Sequence, residues 1–112
     1  MNRFELPFQP IVSSHTSFDM ILSTASSAVI LESSGRIWSG PGSRSIRISE
    51  SSGVEYRMQI GSSLVEAAAA TCPMMLGGVA EIFTIYPRNT YIALMTTSTA
   101  ISNVSVTLGY GA

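Results

Sequence analysis

Val54-Glu55-Tyr56-Arg57-Met58-Gln59-Ile60 alternates without a break. Val54, Tyr56, Met58 and Ile60 fall on one side of an extended chain, with Glu55, Arg57 and Gln59 on the other. That is the period of two which a half-buried strand requires. To either side the rhythm recurs. Val104, Val106 and Leu108 alternate with Ser105 and Thr107. Ile46 and Ile48 repeat it in part: Ser45 and Arg47 share the opposite face, while Arg44 falls on the isoleucine side.

Further short apolar or alternating runs fill the rest of the chain, separated by Ser, Gly, Asn and Pro. The predicted strands are 17–23, 27–32, 44–49, 54–60, 80–85, 91–96 and 103–108, with a shorter piece around 36–39. Gly35, Gly40-Pro41-Gly42, Gly53, Gly61, Gly77-Gly78 and Asn103 supply the turns. Strands at this spacing predict an all-β fold, a β-sandwich or jelly roll of about seven to eight short antiparallel strands. One stretch, 62–72, reads two ways. Ser63 and Glu66 have capping-box spacing and Pro73 gives a stop, which suits a short helical turn. Isolated helices of that length are marginal, so an Ala-rich connection through Ala67–Ala70 fits equally.

The 112 residues suit one domain. Residues 1–13, with Pro7 and Pro10 and no clean period, read as an extended N-terminal arm that docks on a neighbouring subunit or frays. Residues 14–112 form the sandwich. The opening residues lack the apolar run of a signal peptide, which points to synthesis in a cytoplasm, and no apolar stretch approaches the roughly 20 residues of a membrane span.

Charge narrows the function. Charged residues make up 12% of the chain, against about 25% in ordinary proteins. A net charge of -1 gives no basic field for nucleic acid. All the positive charge is arginine: Arg3, Arg36, Arg44, Arg47, Arg57 and Arg88. Interfaces enrich Arg and deplete Lys, and lysines normally guard sheet edges, so a lysine-free β protein reads as one whose exterior is covered by neighbours.

The inventory for catalysis is thin. His15 is the only histidine and Asp19 the only aspartate; on a strand, positions four apart do not share a proton. Cys72 stands alone and reads as a small buried hydrophobe. No grouping of His, Cys and carboxylates has metal-ligand spacing, and no glycine pattern cradles a phosphate. Neither enzyme activity nor a cofactor is expected. Trp38, Tyr56, Tyr86, Tyr91 and Tyr110 offer rings for sugar stacking, although a core role for Tyr56 and Tyr91 is the stronger reading.

From Arg36 to Gly111 the chain resembles small structural proteins of tailed bacteriophages, some of them capsid decoration or cement proteins. The resemblance runs through Arg36-Ile37-Trp38, Tyr56-Arg57-Met58-Gln59-Ile60-Gly61, and Gly77-Gly78-Val79-Ala80-Glu81-Ile82-Phe83 with a turn at Pro87. It ends in Thr90-Tyr91-Ile92-Ala93-Leu94-Met95 and Val104-Ser105-Val106-Thr107-Leu108-Gly109-Tyr110-Gly111. It implies a β-sandwich in a virion, assembled in host cytoplasm, homo-oligomeric and partnered by a major capsid protein or other virion proteins. The expected role is a subunit that binds the outside of a head and stabilises it; alternatives are a neck, tail or fibre-associated subunit and a lectin-like carbohydrate-binding module. The residues expected to carry contacts are Arg3, Phe4, Leu6 and Phe8 in the arm, with Trp38 and Arg57, because aromatic and Arg side chains dominate hot spots.

Overall fold

Alternating apolar residues become a fold only if two sheets can close their inner faces on each other, and the strand order shows how this is done. A computed structural model of the chain describes residues 8–11, 16–32, 38, 44–62, 65, 67, 71–86, 88–99 and 102–111. Among these, nine strands make two antiparallel sheets. In the first, β9 (Ser102–Tyr110) is flanked on one edge by β1 (Gln9–Pro10) and β2 (Ser17–Leu22). On its other edge lies β4 (Arg44–Glu50), followed by β7 (Ala80–Thr84). In the second, the order is β3 (Ser27–Ile30), β8 (Tyr91–Met95), β5 (Tyr56–Gly61) and β6 (Met74–Met75). From β2 onward the chain changes sheet at every link except β5 to β6. The order β2-β9-β4-β7 against β3-β8-β5-β6 is that of an eight-stranded jelly roll.

The predicted periodicity fixes the facing. Ile46, Ile48, Val104, Val106 and Leu108 are fully buried from the first sheet, and Ile92 and Leu94 from the second. Tyr56 and Met58 complete the inner face of β5. Burying one such aliphatic side chain contributes about 1.5–3 kcal/mol. The predicted strands match β2, β3, β4, β5, β7, β8 and β9 to within a few residues. The piece expected around 36–39 lies outside the described residues except for Trp38, which is not in a strand.

Two stretches are held by partners distant in sequence. The described residues of 62–72 hold no helix; Ser63 and Glu66 lie outside them. The described residues of the connection from β5 to β6 are tied to the second sheet and to the residue before β3: Arg57 donates to the Cys72 carbonyl at 2.9 Å, and the Ala67 N–H donates to the Ser26 hydroxyl at 2.9 Å.

The N-terminal stretch is the second. Of the residues read as an arm, 1–7 and 12–13 lie outside the described set, and β1 pairs with β9. The Ile11 N–H donates to the Leu108 carbonyl at 3.0 Å, and the Leu108 N–H donates to the Thr16 carbonyl at 3.0 Å. The edge of β9 therefore passes from β1 to β2 at a single residue. Phe8 lies over Gly109, where an added Cβ would stand 2.5 Å from both the Phe8 ring and the Gln9 carbonyl oxygen. Only glycine lets β1 seat there. Gly109→Ala is expected to cost about 1–3 kcal/mol and to speed hydrogen exchange at the Ile11 amide by more than at Ile48. Equal exchange changes at both sites would show that β1 is not seated through Gly109.

Candidate functional site

Of the residues expected to face partners, the described ones, Phe8, Trp38 and Arg57, make contacts within the chain. Trp38 is 6% exposed, and its indole N–H is shared between the Gly109 carbonyl at 2.8 Å and the Ser45 carbonyl at 3.3 Å. It closes one end of the core. Arg44 sits 5.6 Å from the Trp38 ring centre and pairs with Glu32 at 3.1 Å; Arg47 sits 5.8 Å from that of Phe8. Arg57 holds the β5–β6 connection. Arg3, Phe4, Leu6 and His15 lie outside the described residues. Cys72 is half-buried with its thiol 3.6 Å from Gln59 Oε1.

Sequence reading passed over Glu50. It continues the inward row of Ile46 and Ile48 and is 1% exposed. Oε1 accepts from the N–H groups of Gly53 at 2.8 Å, Gly78 at 2.9 Å and Val54 at 3.2 Å. Oε2 accepts from the Ser52 N–H at 2.9 Å and from the Ser102 hydroxyl. Burial works to raise the pKa of this carboxyl, but the bonds from Ser102, Ser52, Gly78 and Gly53 outweigh it, so the pKa lies below the ordinary value. One side chain thus ties the β4–β5 turn, the β6–β7 turn and the start of β9 together. Gly77 makes the approach possible: a Cβ there would stand 2.3 Å from the Gly53 carbonyl carbon and the Val54 nitrogen. Tyr56 is buried close by, its phenol pushed up to about 12 by burial, then by the charges of Glu81 and Glu50.

The turn pinned by Glu50 carries the most distinctive surface. Met74 is 48% exposed, Leu76 55%, Val79 43% and Ile82 41%. They follow one another through β6, the turn and β7, which are the end strands of their two sheets. Among the described residues, four of the seven exposed large hydrophobics therefore stand within nine positions, on two end strands and the turn between them. The others are Ile21, Ile30 and Tyr86.

A recess of about 70 Å³ between Glu55, Tyr56, Arg57, Met74 and Thr97 is far below the roughly 300–1,000 Å³ of small-molecule sites. Among the described residues no three His, Cys, Asp or Glu side chains come together to hold a metal ion. No family model and no curated protein matches the chain.

Two measurements test the Glu50 lock. Its lowered pKa means that it stabilises the fold above the unfolded carboxyl value of about 4.3, and that this contribution disappears as pH falls through the folded value. Glu50→Gln is expected to lower stability by about 2–3 kcal/mol at pH 7 and to flatten the acid limb; an unchanged acid limb would refute the assignment. For Tyr56 the sign reverses, since a raised folded value loses stability as pH climbs from about 10 toward about 12. Tyr56→Phe should remove that alkaline loss.

Proposed function

We propose that this chain is a virion structural subunit, a capsid decoration or cement protein that binds the outside of a phage-type head. The observation that carries the reading is the strand order, since the eight-stranded jelly roll is an architecture of viral capsid and lectin domains. Fold alone does not fix function, so the surface must choose between those uses. A sugar platform needs presented aromatic rings. Trp38 and Tyr56 are buried, Tyr91 and Tyr110 are half-buried, and Tyr86 stands exposed by itself. An exposed apolar stretch on a chain without lysine suits protein contacts better than carbohydrate.

The mechanism is additive. A subunit that binds only the assembled shell stabilises it by mass action, by about 2.7 kcal/mol per site when free subunit reaches a hundred times its dissociation constant. Interfaces of about 1,200–2,000 Å² suffice for such affinity. The test is co-expression with a major capsid protein encoded beside this chain, followed by sedimentation and cryo-electron microscopy of the shells. Many symmetric copies on the head surface are expected. Few copies at a neck or tail position would favour that alternative, and a chain left wholly in the supernatant would overturn the virion reading.

A further inference from the structure

We infer that β7 is a self-pairing edge: two copies of this chain join β7 to β7, antiparallel about a twofold axis at Ile82, and so continue the first sheet across the dimer. The inference stands on the edge of β7 that no described strand covers and does not depend on a place in a capsid.

The backbone sets the register. The Ile85 N–H donates to the Arg44 carbonyl at 2.8 Å, and the Glu50 N–H to the Val79 carbonyl at 3.5 Å. Both bonds fit the β4–β7 pairing that sets Ile46 opposite Phe83 and Ile48 opposite Glu81. In an antiparallel ladder, alternate residues bond to one side. Val79, Glu81, Phe83 and Ile85 therefore spend their backbone groups on β4, while those of Ala80, Ile82 and Thr84 point away from it. No described strand lies on that side.

An antiparallel copy centred on Ile82 matches this pattern. Ile82 meets the partner's Ile82, and Ala80 meets Thr84, each as a hydrogen-bonded pair. On the other face Glu81 stands opposite Phe83, so no two charges of one sign are directly opposed. A shift of two residues moves the twofold axis to residue 81, which sets the two Glu81 carboxylates directly opposite each other, or to residue 83, which takes the partner of Ala80 beyond the end of the strand. Two of the usual protections of an edge are missing from this strand: Ala80–Thr84 has no lysine and no proline, and its one charged residue is Glu81. Side chains agree with backbone. Ile82 supplies an apolar contact on the axis itself. A twofold interface of this kind uses one patch twice, which suits a chain able to close its own edge.

The test uses the full chain with Cys72→Ser, so that introduced thiols act alone. Paired hydrogen-bonded residues have Cα atoms about 5.5 Å apart, inside the roughly 4.4–6.8 Å window for a disulfide. Ile82→Cys is therefore expected to give a covalent dimer under mild oxidation. Ala80→Cys should not, because its symmetry mate lies four residues along the ladder, about 14 Å away. Separately, Ile82→Lys opposes two ammonium groups on the axis and should weaken dimerisation about tenfold or more in sedimentation equilibrium, with the monomer's circular dichroism unchanged. Equal cross-linking of the two cysteine variants, a dimer indifferent to Ile82→Lys, or a native chain that sediments as a monomer at high micromolar concentration would each overturn the inference.

Discussion

A carboxylate buried at the end of a strand is tolerable only if the surrounding chain supplies enough donors, and Glu50 makes that demand on three segments at once. Ser52, Gly53 and Val54 come from one turn, Gly78 from another, and Ser102 from the start of β9. Losing one segment leaves a partly satisfied charge out of reach of water, which is costlier than having no charge there. The three therefore hold or fail together. Gly77 belongs to the same constraint, because it lets the two turns meet backbone to backbone. The apolar stretch through Met74, Leu76, Val79 and Ile82 owes its position to this junction.

The strands were readable where burial on one face left a period of two. Tyr56 and Met58 face the core between Arg57 and Gln59, and Val104, Val106 and Leu108 do so along β9. The two elements that escaped, β1 and β6, are two residues long and have no room for a period. The stretch 62–72 was ambiguous for a related reason: alanine suits either reading, and nothing local shows that the Ala67 N–H will bond a distant partner, Ser26. Glu50 was legible only as one more inward position after Ile46 and Ile48. Nothing local says that a carboxylate there will find five donors, since two of them come from residues 78 and 102.

Arginine shows how composition and placement diverge. A chain with arginine and no lysine suggests outward contact residues, yet Arg44, Arg47 and Arg57 each have a partner inside the chain. Their planar guanidinium groups stack on rings or bond a carbonyl while staying partly hydrated, a task to which an ammonium is less suited. Trp38 likewise spends its indole on the backbone of two neighbouring strands. Arg44, Arg47 and Arg57 thus serve contacts within the fold.

The place of β9 at the centre of the first sheet also bears on how the molecule comes into being. Ser17 and Thr107 hydrogen-bond across 90 positions, and β1, β2 and β4 all wait for residues 102–110 before they have a common neighbour. While the ribosome is still extending the chain, β1 and β2 stay unmated and β4 keeps one edge open, with ladder groups available to other nascent copies. Non-local pairing of this kind folds slowly, in milliseconds to seconds rather than microseconds. Production of this protein is accordingly a race between late zippering and premature clumping, one that slower translation or a lower temperature would tilt toward the native topology.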